Sequence, residues 1–597
     1  MQASTKTSSD TNLATYARTL RHLRPKQVLT RIKHRIVGYS DRTAPINVSH
    51  FRLDPLRAEP LAPRLNGIRG IRSSGSKITF LSETRTFPQS KAGLESASLL
   101  WQFNYHYLDW LWQLEPEDGI AHLLDWLNSN PFASTPAWHP YVVSKRLLNL
   151  SVIFRSRLLP LLQDNPQLRQ NFAQSVWDHL YFLYNNLEYD VDVNHLLTNL
   201  IAGTAGCSLF TEDSQGLKRG FEELLELELN RQFLSDGGHV ERSPGYQIEL
   251  IYQLTHLLNC LASTGSDKLR EVITGGLKIV SALSDAAGEP FVFNDGAVEE
   301  TVLVSDLRNY ASRVTSNKAL AALTTNQGMQ LFPESGYCRI DCGPFALTAD
   351  FGALGAPHNS GHGHADFLSF ILQIDQMPVV VDAGNFDYLP GEKRSYFRST
   401  RAHSTVELNG ESCAELWSAF RVGRRSVPRL LLNESFDGWE TIVAAHNGYR
   451  HLPGNPQVVR RWVCTTAALI IVDFVFGRQS LSSVSRFHIH PMWSLEKNSS
   501  SAVLSSKYDS TKIYVSASTE IQIESDHFFS PGFGKAQGSA ALSCQVPVSR
   551  QAKPVAVVFS LDNIRPDFSA LSEHSLSLGE ELVSWADTFV KTSGARV

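Results

Sequence analysis

The hydrophobic periodicity of this chain changes character once, near Leu331, and that change divides its 597 residues into two kinds of structure. From Leu99 to about Ser284 apolar residues recur at helical spacing in successive blocks, among them Tyr141 to Leu162, Asn171 to Leu187, Asn194 to Phe210 and Tyr246 to Ala262. Loop signals such as Asn165-Pro166, Asp236-Gly237-Gly238 and Ser263-Thr264-Gly265 separate the blocks. Paired helices on short loops predict an α-helical bundle, toroid or solenoid. Beyond Leu331 come short Val- and Ile-rich runs: Phe367 to Ile374, Val379 to Val381, Thr405 to Leu408, Val458 to Cys464, Leu469 to Val475, Ile513 to Ala517 and Val555 to Leu561. Turns such as Asn409-Gly410 and Pro453-Gly454 punctuate them at the spacing of an antiparallel sandwich. The boundary falls between Ser316 and Pro333. The expected division is a basic, mixed segment over 1–90 packing on the helices, a helical domain over 91–325 and a β-domain over 326–597.

Hydrophobic content of 42% with 19% charged residues describes a globular chain. A net charge of −4 gives no global attraction for nucleic acid, so an anionic partner needs a local arginine cluster. Arg394, Arg398 and Arg401 are the first candidates, then Arg421, Arg424 and Arg425; solvated strand-edge charges are the other reading. Seven cysteines without a CxxC pair predict reduced, mostly buried thiols, with a single bridge left open. The first dozen residues are polar and lack the apolar core of a secretory signal, so the expectation is a cytoplasmic protein, with periplasmic or secreted locations kept open. Residues 13–37 form a basic, partly amphipathic stretch, read first as a packing helix and second as a contact for an anionic surface. No run is apolar enough for an integral membrane segment.

Three side chains of metal-ligand type, His364, Asp382 and His403, lie within about forty residues of strand-like sequence. Imidazole and carboxylate together suit one divalent ion, zinc first and manganese second. A hairpin turning near Asp375 to Pro378 sets Asp382 opposite Ile371, so the Gly-rich stretch from His358 to Asp366 must fold back for these ligands to meet. Histidines decorating a loop are the plain alternative. In the helical half, Asn194-His195 opens a helix, read either as a capping Asn beside a packed His or as a site where the local dipole favours a neutral imidazole suited to a general base. The segment Asp236-Gly-Gly-His-Val-Glu241-Arg242-Ser-Pro-Gly-Tyr246 places a phenol in the first turn of the next helix, as an acid or as a buried, satisfied tyrosine. Asp236 and Glu241 also qualify as the paired carboxylates of a glycosidase.

The succession Asn-His, Asp-Gly-Gly-His-x-Glu-Arg-Ser-Pro-x-Tyr, His-Gly-His-Ala-Asp, Val-Asp-Ala-Gly and Tyr-Phe-Arg-Ser-Thr-x-Ala-His resembles the heparinase II/III superfamily of polysaccharide lyases over about residues 95–430. The resemblance implies an incomplete (α/α) toroid followed by an antiparallel β-sandwich, with a sugar cleft between them. It implies Asn194 and His362 around a substrate carboxylate, His195 and Tyr246 as base and acid, and His364, Asp382 and His403 on the metal. Arg242, Tyr396, Arg394, Arg398 and Arg401 are the expected substrate contacts. The expected activity is β-elimination on a uronate-containing anionic polysaccharide, glycosaminoglycan-like or alginate-like. The alternatives are a toroid hydrolase using Asp236 and Glu241, and a non-catalytic carbohydrate-binding or assembly protein of a capsule pathway.

Overall fold

Helix starts are written into the first half of the chain. Ser98 accepts a hydrogen bond from the Trp101 amide and Asn165 from the Leu168 amide, while Pro116, Pro140, Pro166 and Pro244 occupy first helical positions where no amide is needed. The computed structural model describes residues 13–42, 50–51, 72–74, 77–87, 91–211, 216–261, 267–296, 299, 301–323, 327–436, 439–551, 553–563 and 568. Much of the mixed segment expected over 51–90 lies outside the described residues; Lys77–Phe80 and Glu83–Thr86 within it form an antiparallel pair, with Phe80 buried against Trp101.

Helices from Leu99 to Thr315 enclose one apolar core running from Trp101 through Leu196 and Ile251 to Leu307. Helix Val193–Cys207 is its axis, packed against helices Pro140–Ile153, Pro166–Asn185, Leu217–Gln232 and Pro244–Leu261. Gly203 permits this closeness, since a Cβ there would stand 2.2 Å from the Phe221 ring. Every residue of that axial helix is buried except His195. An imidazole left open at the end of an otherwise sealed helix marks where the toroid faces its cleft.

The strands of the second half begin at Gly328, beyond the last helices of the first half. Among the described residues two nine-stranded sheets form, and their pairings are antiparallel apart from a two-residue parallel contact between Phe476 and Ser549's strands. Ile340, Leu347 and Leu372 of one sheet share a core with Ile442, Trp462, Ile471 and Phe559 of the other, so this is a sandwich. The seven cysteines are unpaired and buried. No helix among the described residues is long and apolar enough to cross a membrane.

Toroid and sandwich meet at a polar seam. Both Asp236 carboxylate oxygens accept from Ser335, one from its amide and one from its hydroxyl, each at 2.7 Å. Gly238 is obligatory beside them, because a Cβ there would land 1.7 Å from the Ser335 hydroxyl. The Arg242 guanidinium donates to the carbonyls of Ser335, Glu334 and Gly355, binding the toroid turn to the first β-hairpin.

Candidate functional site

The loop 188–192 sets up the toroid side of the cleft. Asp192 and Val193 both hold positive φ, 67° and 42°, which is rare for a β-branched residue and costs on the order of 1–3 kcal/mol at each position. Arg231 and His358 pair with the Asp192 carboxylate and hold that turn in place. The strained entry swings Asn194 and His195 onto the first turn of the axial helix. His195 Nδ1 lies 2.9 Å from Glu188 Oε1, and Asn199 donates to the other Glu188 oxygen at 2.9 Å. The His195 ring rests on Tyr141, with centroids 4.4 Å apart. Burial pushes the Glu188 carboxyl up, but His195, His139 and Asn199 outweigh it and hold the group below the usual range. Glu188 is therefore an anion that orients the imidazole. Asn194 is buried, and its side-chain oxygen has no hydrogen-bond partner. Its backbone amide donates to Glu241, whose carboxyl burial pushes up to about 8.

From the sandwich side, the stretch His358–Asp366 folds back as required. His362 Nδ1 meets Asp295 Oδ2 at 3.0 Å, and the Tyr246 ring lies 4.2 Å from the imidazole, centroid to centroid. Tyr246 donates its hydroxyl to Tyr388 at 3.0 Å, and burial raises its pKa well above that of free tyrosine, keeping a proton on the phenol. His195 is close enough to His362 to bear on it electrostatically, which brings His195, Tyr246 and His362 into one neighbourhood, with Asn194 next to His195 at the helix start.

Asp295 is the hub beneath this set. Fully buried, it receives His362, His364 Nε2 at 2.9 Å and both Arg394 terminal nitrogens, one at 2.7 Å. Burial opposes its charge, yet Arg394 and the two imidazoles hold the carboxyl well below the usual range. The expectation that Arg394 and Arg398 touch substrate is corrected accordingly. Both are 1% exposed; Arg394 is bound to Asp295, and Arg398 donates to the carbonyls of Gly363, Ser418 and Ala419. Arg242 is likewise bound to backbone carbonyls, Arg401 pairs with Asp526 at 2.7 Å, and the Tyr396 hydroxyl is bonded to His527 and the Phe528 amide. Arg421, half-buried, has no carboxylate partner among the described residues.

His403 Nδ1 lies 2.7 Å from Asp382 Oδ2, and the His364 ring is 5.3 Å from that of His403. Ligand atoms of Asp366, Asp382 and His403 lie within 4.8 Å of one another. Among the described residues, three buried atoms beside them have no hydrogen-bond partner: His364 Nδ1, Asp366 Oδ2 and His403 Nε2. Such orphans are costly unless something binds them, and the nitrogen–oxygen donor set fits a divalent ion. Asp295 on the far nitrogen of His364 is the carboxylate–histidine support that metal ligands use. Glu188, Asp295, Asp366 and Tyr388 were not singled out from sequence.

Residues 108–320 match the family profile described as heparinase II/III N-terminus, and residues 324–558 match heparinase II/III-like, C-terminal. A solved heparinase III superposes with a TM-score of 0.64 at 14% identity, over 91% of this chain and 93% of that one. A heparinase III with methylated lysines gives 0.61 at 15% identity, over 94% of each chain. The heparan sulfate lyase HepC of Pedobacter heparinus gives 0.56 at 14% identity, over 91% of this chain and 88% of that one. The curated FtsZ-localized protein C of Caulobacter vibrioides is 23% identical over 377 residues, 58% of this chain; the match spans 62% of that relative's length.

Proposed function

Because the chain belongs to the heparinase II/III superfamily, we propose that it is a polysaccharide lyase cleaving a uronate-containing polymer by β-elimination. The observation that carries this reading is the convergence of the His195–Glu188 dyad, the Tyr246–Tyr388 pair and His362 on one cleft between toroid and sandwich. A uronate C5 proton is acidic only when the adjacent carboxylate is neutralised. The Asn194 side-chain amide supplies a donor for it, worth on the order of 3–4 kcal/mol when well placed as charge develops; His362, with its Nδ1–H given to Asp295, donates from Nε2 only as an imidazolium. Glu188 accepts from His195 Nδ1, which leaves Nε2 free to take the C5 proton. The C5–H electron pair becomes the C4–C5 double bond, the C4–O bond breaks, and the Tyr246 phenol protonates the departing oxygen.

His364, Asp382 and His403, with Asp366 beside them, would hold the divalent ion. When bound, the ion supplies a fixed positive centre that stiffens the loop carrying His362. Arg421 takes over as the anion contact proposed for the polymer. The hydrolase reading is weakened because Asp236 has both oxygens on Ser335 and Glu241 caps the Asn194 amide.

Incubation with a panel of uronate polymers tests the proposal. Ultraviolet absorbance from new double bonds is the expected result. Chain cleavage without that absorbance means hydrolysis, and saturable binding without cleavage means a carbohydrate-binding protein.

A further inference from the structure

The first two helices, α1 (Leu13–Leu20) and α2 (Pro25–Ile36), are amphipathic in the reverse of the usual sense. In α2 the residues turned toward the body are Gln27, Thr30, Arg31 and His34, a polar set at i, i+3, i+4 and i+7. Those turned away include Leu29, Ile32 and Ile36, which are 67%, 50% and 78% exposed. Helix α1 repeats the arrangement, with Thr15, Arg18 and Thr19 inward and Leu13, Tyr16 and Leu20 outward. The polar faces are docked: Arg18 and Thr15 bind Glu415, Trp417 donates to Thr19 at 3.0 Å, and Arg31 and His34 hold the backbone and side chain of Asp190. The apolar stripe is therefore fixed outward and cannot turn in.

Charge indicates what covers it. Residues 13–37 contain seven arginines and lysines and no aspartate or glutamate, in a chain of net charge −4. On the wheel of α2, exposed Lys33 flanks the Leu29–Ile36 stripe on one side and exposed Arg35 lies beyond Val28 on the other. Apolar side chains bordered by cations on long stems are the pattern of a helix lying in a lipid interface. A second copy of the chain would bring an equally cationic patch against this one, and like charges oppose that pairing. At twelve residues α2 is too short to span a bilayer but long enough to lie on one.

We propose that the α1–α2 hairpin is a peripheral docking surface for an anionic lipid bilayer, with Leu29, Ile32 and Ile36 entering the acyl boundary and Lys33 and Arg35 meeting phosphate headgroups. The full chain should co-sediment with vesicles containing phosphatidylglycerol and partition at least ~10-fold less into purely phosphatidylcholine vesicles. The double substitution Leu29→Glu/Ile36→Glu, at exposed positions, should reduce partitioning at least ~10-fold with Tm unchanged, and Lys33→Glu/Arg35→Glu should remove the preference for anionic lipid. Absence of binding to anionic vesicles at low salt overturns the proposal. Binding indifferent to both double substitutions also overturns it, as does vesicle-independent dimerisation that Leu29→Glu/Ile36→Glu abolishes, which would make a second copy the occupant.

Discussion

His195 and Glu188 face each other across 2.9 Å, Nδ1 to Oε1, with the carboxylate sealed from solvent and the imidazole open to the cleft. The pairing fixes the tautomer that exposes an acceptor nitrogen, so the dyad acts as one unit although seven residues separate its members in sequence.

Substituting His195→Ala should lower kcat by about 10²- to 10⁴-fold with little change in KM, because the lost interaction acts on the transition state. Glu188→Gln should also lower kcat while leaving the ring in place. Steady-state kinetics on the polymer that gives the ultraviolet signal checks both. An effect confined to KM would make the dyad a binding element.

Tyr246→Phe removes one hydroxyl and keeps the ring against His362. A loss of about 10²- to 10⁴-fold in kcat with unchanged Tm is expected. Tyr388→Phe, which removes the hydroxyl that accepts from Tyr246, should show a smaller loss in the same assay.

Glu241 gives stability a pH dependence. Its folded-state pKa of about 8 lies above the unfolded value, so the native state binds the extra proton and stability falls as pH rises from about 4.5 through 8. The His239 ring beside it, pushed down to about 3 by burial, stays neutral and gives no compensating charge. Glu241→Gln should flatten the decline in Tm between neutral and alkaline pH, as read by thermal melts across that range. A parallel decline in both proteins would remove Glu241 as the cause.

Purified protein prepared without chelator should contain about one divalent ion per chain by elemental analysis. His403→Ala should abolish the ion and lower Tm, and Asp366→Asn should weaken its retention. Chelation of the wild-type protein should lower Tm to a similar degree.

Arg394→Ala should destabilise the fold by about 3–5 kcal/mol, because it strands the Asp295 charge in the interior. Arg421→Ala should leave Tm unchanged and raise KM in a salt-sensitive manner. Denaturant melts paired with kinetics at two ionic strengths separate these outcomes.

Local spacing disclosed the two architectures and gathered the candidate site residues into short motifs. The alternation from Val458 to Cys464 and from Leu469 to Val475 reappears as neighbouring strands, and the apolar block from Asn194 to Phe210 covers all but the first residue of the axial helix. Relationships between distant segments were not legible. Nothing near Asp295 announces that two histidines and an arginine from the sandwich will converge on it. Arg394 and Arg398 resembled an anion-binding cluster because a charged side chain looks the same in sequence whether it meets solvent or a buried carboxylate. Asp366 closes the His-Gly-His-Ala-Asp motif, yet its place beside Asp382 depends on a loop reversal whose path spacing does not specify.

The seam at Asp236–Ser335 and Arg242 has a mechanical consequence. The proposed base is mounted on the toroid and His362 on the sandwich, so under the lyase reading the seam is the fulcrum of a lever whose far ends are those two groups. Either half expressed alone should be inactive, and a substitution at Ser335, remote from the proposed chemistry, should lower turnover by misaligning the two halves.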